Sequence, residues 1–295
     1  MTVDEAFESF LKRLKPTATE HNKVKIHKKT VHKCLKNRLN CKSFFDIGSY
    51  GNGTAVRHHS DTDYFALLPS DELHHKSKIA LREIKEALQV TFSTTRNIKV
   101  KSPVIQIPFG QLASETMEIT PCYFCGLVYT PLNNNSKSFP KYGIPSGNGQ
   151  WIYSSPKAHN YYVELQNKRF NGKLKSLIRF VKAWKYYNNV PIHSFYLELC
   201  ATKYAESEES IFYGVDLKLF FQYLSDMDLD DIDDPMQVSG FIEASSTELK
   251  RIEALSKLST ALSRANRAVE FERKGKTTEA IDCWHKLFNG KFKYR

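Results

Sequence analysis

Apolar residues recur along this chain in two periods, one typical of helices and one typical of strands. Spacing of three and four residues predicts helices over 4–15, 17–39, 71–89, 173–187, 245–274 and 278–288. Near alternation of apolar and polar residues predicts strands over 98–109 and 116–124. Pro16 ends the first helix, and Thr17 with Glu20 forms a capping box that opens the second. Ser155 followed by Pro156 predicts a further helix start.

The order of these elements predicts an α+β protein with two lobes. The predicted strands lie in the first half of the chain, whereas helices dominate after Trp151. Residues 129–150 are rich in Asn, Ser, Pro and Gly, so we interpret them as a loop that links the lobes. The acidic run over 226–234 lacks the central glycine and final glutamate of an EF-hand loop, and we interpret it as a solvated loop.

Composition narrows the class of protein. The chain of 295 residues is long enough for one large domain or two small ones, and its net charge of +11 favours a polyanionic partner. Nucleic acid and nucleoside triphosphates both fit that charge. Six scattered cysteines predict reduced thiols, and the sequence shows neither a signal peptide nor an apolar run long enough to cross a membrane. We therefore expect a cytoplasmic protein that does not enter membranes.

Two carboxylates one residue apart carry the first chemical signal. Asp61 and Asp63 open an apolar run that reads as a strand, so their side chains project from the same face. Oxygen-only ligands favour Mg²⁺ or Mn²⁺, which commonly takes its remaining ligands from substrate phosphates. Gly48 and Ser49 form a turn before a short helical segment, and backbone amides there can approach an anion closely. These residues predict adjoining phosphate and metal sites.

The stretch FFDIGSYGNGTAVRHHSDTDYFALLP, residues 44–69, resembles the nucleotidyltransferase superfamily of the DNA polymerase β type. Within it, the segment from Gly48 onward resembles the bacterial cGAS/DncV-like nucleotidyltransferases, or CD-NTases. The runs KLKSLIRFVKAWKYY and SFYLE, and the ending CWHKLFNGKF, resemble the second lobe of that family. The resemblance thus covers nearly the whole chain.

This resemblance implies a fold and a set of site residues. The fold is a polymerase-β-like core, a mixed sheet with helices over residues 1–150 that includes an N-terminal spine helix, and a helical lobe over residues 151–295. The active site would lie in the cleft between the lobes. Glu118 would join Asp61 and Asp63 as catalytic residues that hold two Mg²⁺ or Mn²⁺ ions. The residues that would bind the nucleotide are Gly48, Ser49, Lys182 and Ser194.

The activity implied is synthesis of a cyclic di- or trinucleotide second messenger from NTPs, with release of pyrophosphate, in anti-phage (CBASS) signalling. ATP, GTP or both are the expected substrates, a pyrimidine NTP is also compatible, and the product would act on a separate effector protein. A monomer is expected, and nucleic acid is a permitted but not a required partner. Two alternatives stay open: a nucleotidyltransferase with an RNA or small-molecule acceptor, and an inactive nucleic-acid-binding relative.

Overall fold

The structure is a computed structural model that describes residues 1–59, 61–109, 115–129 and 137–292. The strands of these ranges are β1 (Ser43–Asp46), β2 (Thr62–Leu67), β3 (Lys99–Lys101), β4 (Val104–Phe109), β5 (Glu115–Tyr129), β6 (Ser138–Pro145), β7 (Trp151–Ser154), β8 (Ile232–Asp233) and β9 (Phe241–Ile242). The α-helices are α1 (Val3–Leu14), α2 (Ala18–Leu39), α3 (Gly48–Gly51), α4 (Ser77–Thr91), α5 (Pro156–Arg169), α6 (Lys173–Tyr187), α7 (Ser194–Tyr204), α8 (Tyr213–Asp226), α9 (Glu248–Arg273) and α10 (Thr277–Leu287).

Within the described ranges, seven strands form one mixed sheet. Its main order is β1-β2-β5-β4-β3, and β6 and β7 extend it from the second half of the long strand β5. Strands β2 and β5 are parallel, whereas the other paired neighbours are antiparallel. The sheet is followed by helices α5 to α10, which confirms the predicted α+β class with a helical second lobe.

Two large hydrophobic clusters divide the interior between the sheet and the helices. Helices α2 and α4 pack on the sheet through residues such as Val31, Leu35 and Leu81. The larger cluster joins helices of the second half of the chain, and α1 packs there through Phe7 and Phe10. The predicted domain over residues 1–150 includes both α1 and the sheet. The spine helix α2 packs on the sheet, while α1, which ends before Pro16, packs on the helical lobe.

Strand β6 lies inside residues 129–150, a segment that the sequence predicts as a loop. Its glycine and prolines lower strand propensity, but β6 pairs with β5 on one side and with β7 on the other. Gly143 lies under the Tyr123 ring, where a Cβ atom would collide with the ring. Pairing with neighbouring strands therefore overrides the local composition, and the loop prediction is wrong for 138–145. The rest of that prediction falls partly on residues 130–136, outside the described ranges.

Most predicted helices match the structure closely, and α6 has the predicted ends. The capping box of Thr17 and Glu20 opens α2 as predicted. The helix predicted over 71–89 begins later, since a short 3₁₀ turn covers Ser70–Glu72 and α4 starts at Ser77. Across the residues that the structure covers, we find no helix with both the length and the hydropathy to cross a membrane.

Candidate active site

The turn predicted at Gly48 lies directly against Asp63. The Ile47 amide donates to the Asp63 carbonyl oxygen at 2.9 Å, which ties the end of β1 to β2. Gly48 has a φ of +57°, and a Cβ atom there would overlap the Asp63 carboxylate. Glycine alone tolerates both the positive φ and this approach without cost. The predicted phosphate-binding turn therefore adjoins the predicted carboxylate site.

Two of the three predicted carboxylates, Asp63 and Glu118, lie on the adjacent parallel strands β2 and β5, and Asp61 immediately precedes β2. Asp63 is directly opposite Glu118 in the strand register, and Asp61 lies two residues before Asp63. Met117 and Ile119 point into the core with exposures of 2% and 0%, so Glu118 occupies the other face, as the alternation predicts. The pairing of β2 with β5 thus brings the Asp63 and Glu118 side chains together, next to Asp61.

Gln106 is a site residue that the sequence does not reveal. It lies opposite Glu118 on β4, and its Nε2 donates to the Glu118 Oε1 at 2.6 Å. This hydrogen bond restricts the orientation of the carboxylate. Gln106 is the only polar side chain of β4, but its partner becomes visible only when the strand register is known.

Burial and the charges of neighbouring carboxylates raise the pKa values of Asp61 and Asp63. Burial raises the pKa of Asp63 to about 7, the charges of Glu118 and Asp61 add to this, and Lys182 opposes it. The pKa of Asp61 is also raised, first by burial and then by Glu118, while Lys101 lowers it. Carboxylates that repel one another in this way hold protons more tightly unless a cation lies among them. The electrostatics therefore favour a cation at this position.

The carboxylates of the candidate site are of the type that binds a hard divalent metal ion. The candidate ligands are all carboxylate oxygens, which is the chemistry that Mg²⁺ and Mn²⁺ prefer. In the described part of the chain, however, no three His, Cys, Asp or Glu side chains lie close enough to bind one ion together. The ligand types and their mutual repulsion fit a hard divalent ion. The assignment of Asp61, Asp63 and Glu118 as metal ligands stays a prediction.

A cavity of about 520 Å³ opens between the sheet and the helical lobe. Gly48, Ser49, Asp61 and Asp63 line it from the sheet side, and α5, α6 and α7 supply the opposite wall. Lys182 and Ser194 also line it, so six of the seven predicted site residues surround the same space. Glu118 adjoins this group through its register with Asp63. The predicted cleft between the lobes is thus present, and the predicted residues meet there.

Lys182 is fully buried and already has an ionic partner. Its side chain is 0% exposed, and its Nζ lies 2.6 Å from the Glu198 Oε1. The same carboxylate accepts hydrogen bonds from Asn52 Nδ2 at 2.8 Å and from Thr54 Oγ1 at 2.6 Å. The pKa of Glu198 is lowered despite its burial, because Lys182 and these hydrogen bonds stabilise its charge. Contact between Lys182 and a triphosphate stays a prediction.

Lys185, which sequence analysis did not select, faces the same cavity one helical turn later. Its Nζ donates to the Ser194 Oγ at 2.7 Å, and the Tyr186 hydroxyl lies 3.2 Å from that oxygen. Burial, with a smaller effect from Lys182, lowers the pKa of Lys185 to about 8. The signal in the sequence was the spacing of three residues between the two lysines, which places them on one helix face.

A buried His159–Asp234 pair supports the wall of the cavity. His159 lines the cavity, and its Nε2 lies 2.8 Å from the Asp234 Oδ1. Backbone amides of Met236, Val238 and Ser239 also donate to the Asp234 carboxylate. The acidic run over 226–234 was predicted to be a solvated loop, and this is wrong at Asp234, which is buried. A single buried aspartate cannot be told from its exposed neighbours by composition.

Comparison with known proteins identifies the family. Residues 1–167 match the profile of the Second Messenger Oligonucleotide or Dinucleotide Synthetase domain (SMODS), and the chain belongs to that family. A probable cyclic nucleotide synthase of Bacillus cereus (strain VD146) is 29% identical over 167 residues, which are 55% of this chain and 49% of the relative. A cyclic AMP-AMP-AMP synthase of Acinetobacter sp. is 24% identical over 227 residues, 71% of this chain and 61% of that protein. The matched segment thus spans only about half to three fifths of each relative.

Solved structures share the fold over nearly the whole chain. Escherichia coli MS115-1 CdnC with ATP superposes with a TM-score of 0.77, at 16% identity and 99% coverage of both chains. Vibrio cholerae DncV cyclic AMP-GMP synthase, in complex with a linear intermediate, also gives a TM-score of 0.77, at 14% identity and coverage of 99% of this chain and 97% of that one. These matches confirm the resemblance to cGAS/DncV-like nucleotidyltransferases at the level of fold.

Proposed function

We propose that this protein is a nucleotidyltransferase that joins NTPs into a cyclic oligonucleotide. The observation that carries the proposal is the cavity between the lobes, which has acidic groups on one wall and basic and hydroxyl groups on the other. Asp61 and Asp63 line the sheet side, and Lys185 and Ser194 line the helical side. Membership of the SMODS family supports the same class of reaction. Such a site accommodates a triphosphate and the acceptor hydroxyl that attacks it.

The residues of the chain position the donor triphosphate in this proposal. Ser49 and the backbone amides of the turn at Gly48 bind phosphate oxygens from one side. Lys182 and Ser194, together with Lys185, bind them from the other side, where the developing charge of the departing pyrophosphate meets fixed cations. A ribose hydroxyl attacks the α-phosphorus in line, forming a new P–O bond while the bond to pyrophosphate breaks. The hydroxyl proton passes to the carboxylate group formed by Asp61, Asp63 and Glu118.

Positioning and electrostatics account for most of the rate acceleration in phosphoryl-type transfers. Gln106 contributes by fixing the Glu118 carboxylate from β4. Asp61, Asp63 and Glu118 are the residues that would hold Mg²⁺ or Mn²⁺, which when bound neutralises phosphate charge and lowers the pKa of the acceptor hydroxyl. Two ions per site are the expected stoichiometry.

A cyclic product requires the linear intermediate to react a second time at the same site. The names of the relatives support this step, since one is called a probable cyclic nucleotide synthase and the other a cyclic AMP-AMP-AMP synthase. Adenine is the base named for the Acinetobacter relative, and ATP is therefore the first substrate to test. We further propose that the product acts on a separate effector in anti-phage defence, as the family resemblance implies.

Incubation with each NTP alone and in pairs, with Mg²⁺ or Mn²⁺, tests the proposal. Phosphatase treatment followed by mass spectrometry detects cyclic products, because they have no terminal phosphate to lose. The account predicts a phosphatase-resistant product from the wild type and none from Asp61→Asn/Asp63→Asn. As a matched control, Asp233→Asn removes an exposed carboxylate that does not line the cavity, and it should leave the amount of product unchanged.

Other outcomes of the same assay separate the alternatives. Transfer of nucleotides to added RNA or to an aminoglycoside, with no cyclic product, would replace the synthase proposal with another nucleotidyltransferase. A folded protein that binds RNA but forms no product with any metal would favour the inactive nucleic-acid-binding relative.

A further inference from the structure

Basic residues are concentrated on the solvent side of the spine helix α2. Residues 21–45 contain eight Lys or Arg residues and no Asp or Glu, so this segment has a formal charge of +8. Val31 and Leu35 are buried against the sheet. The lysines that recur every three or four residues on the opposite side of the helix are all exposed, and they are Lys25, Lys29, Lys33 and Lys36.

The exposed lysines of α2 have no acidic partner in the part of the chain that the structure describes. Among the described side chains of α2, Lys28 is the one lysine that forms an ion pair, and its partner is Asp46. Ile26 lies beside the exposed lysines and is itself 64% exposed. We call Ile26 together with Lys25, Lys29, Lys33 and Lys36 the basic face.

The helical lobe has a segment of equal and opposite charge. Residues 219–249 contain eight Asp or Glu residues and no Lys or Arg. Arg251 on α9 pairs with three of these carboxylates, at Asp228, Asp230 and Glu248. Three other carboxylates are exposed and form no ion pair with any residue of the described ranges, and they are Asp231, Asp233 and Glu243.

Exposed apolar side chains lie beside these carboxylates. Phe241 is 71% exposed and is directly opposite Asp233 in the pairing of β8 with β9. It lines a surface cavity of about 820 Å³ together with Asp231 and Glu243. Such a cavity fits a lysine side chain, because the methylene stem packs on the ring while the ammonium reaches the carboxylates.

Two more apolar side chains extend this surface along α9. Leu249 is 81% exposed, and Ile252, three residues later on the same side of the helix, is 55% exposed. We call Phe241, Leu249 and Ile252 together with Asp231, Asp233 and Glu243 the acidic face.

A second copy of the chain satisfies both faces at once. In the described part of one chain, no ion pair joins the two faces, since α2 packs on the sheet and α9 packs in the helical lobe. A nucleic acid would match the basic face but would be repelled by the acidic face. The net charge of +11 opposes association at long range, but at about 0.1 M salt charges interact only within about 10 Å, so the facing surfaces decide.

We propose that the protein self-associates head to tail, with the basic face of one copy docked on the acidic face of the next. Lysines of α2 then pair with the exposed carboxylates, and Ile26 adds apolar contact with the side chains of the acidic face. Because two different surfaces meet, each copy keeps one face of each charge for a further copy. Neither face lines the cavity of the candidate active site, so this assignment is independent of the proposed function. The monomer implied by the family resemblance is the competing expectation.

Sedimentation velocity at about 5 to 200 µM protein tests the contact. In about 50 mM salt the average mass of the wild type should rise with concentration, and in about 500 mM salt it should fall to that of the monomer. Lys29→Glu/Lys33→Glu and Asp233→Lys/Glu243→Lys should each be monomeric alone, because each variant places like charges in the contact. An equimolar mixture of the two should associate again, since each retains the face that the other has lost.

The control and the contrary outcomes are equally direct. Lys203→Glu/Lys286→Glu makes the same change in net charge at exposed lysines outside both faces, and it should associate like the wild type. All variants should melt within about 2 °C of the wild type, because the changed side chains are exposed. A wild type that stays monomeric at every concentration in low salt would overturn the proposal, and so would a mixture of folded variants that does not associate. If the wild type is monomeric and binds a single-stranded RNA of about 20 nucleotides, and Lys29→Glu/Lys33→Glu does not bind it, the basic face is a nucleic-acid surface instead.

Discussion

Replacement of Asp234 with asparagine is expected to destabilise the protein at neutral pH. The Asp234 carboxylate is buried and accepts hydrogen bonds from His159 and from three backbone amides. Burial alone would raise its pKa, but the hydrogen bond and charge of His159, together with the amides, lower the pKa from 3.8 to about 2. A decrease of this size corresponds to about 2 kcal/mol of stability. For a chain of this length, that equals a fall of roughly 4–8 °C in melting temperature.

The pH dependence follows from the direction of the shift. A carboxyl whose pKa is lower in the folded state than in the unfolded state stabilises the fold above its unfolded pKa and loses this contribution as pH falls toward the folded value. The melting difference between the wild type and Asp234→Asn should therefore be present from about pH 5 to 7 and shrink below pH 4.

Thermal unfolding followed by tryptophan fluorescence from pH 3 to 8 measures this difference. Asp233→Asn is the matched control, because Asp233 is the preceding residue in the chain and is exposed. The control should melt within about 1 °C of the wild type at every pH. If Asp234→Asn also melted with the wild type at pH 7, or if its deficit were as large at pH 3 as at pH 7, the inferred hydrogen-bond network would be refuted.

Three further predictions concern the carboxylate site. Gly48→Ala should abolish product formation, because the added methyl group would overlap the Asp63 carboxylate and because φ at this position is +57°. Rates of product formation by the purified variants check this prediction. Gly275→Ala is the control, since Gly275 also has a positive φ but a Cβ atom there would meet no neighbouring atom. Gln106→Leu should lower the rate of product formation about tenfold with little change in nucleotide affinity, since it frees the Glu118 carboxylate; a steady-state separation of kcat from KM checks this. Addition of Mg²⁺ should raise the melting temperature of the wild type but not that of Asp61→Asn/Asp63→Asn, and an equal rise in both proteins would place the ion elsewhere.

The sequence correctly predicts those elements in which the spacing of apolar residues agrees with local signals such as a capping box. Helix α6 has an apolar face of five residues, and α2 has a capping box at its first turn, so local and global preferences coincide. Strand β6 contains proline and glycine and is stabilised by pairing with β5 and β7 instead. Pairing between distant segments leaves no local signal, which explains why this strand was missed.

The same distinction applies to the site. Asp61, Asp63, Gly48 and Ser49 form a continuous motif, so the sequence alone places them together. Lys185, Gln106 and Asp234 acquire their roles through contacts with residues on other helices or strands or in loops. Lys182 is part of a motif that the sequence shows, but its buried carboxylate partner, Glu198, becomes visible only in the fold.

Alignment with the curated relatives extends over only part of their lengths, so activity must be measured on this chain itself. The most direct test is the ratio of pyrophosphate released to nucleotide incorporated when the wild type reacts with ATP, alone or with a second NTP. A cyclic product requires one pyrophosphate for every nucleotide, because the last bond also displaces pyrophosphate. A linear product retains its terminal triphosphate and gives fewer than one. The account predicts a ratio of one, lost in Asp61→Asn/Asp63→Asn. A ratio clearly below one, or no pyrophosphate at all, would contradict it.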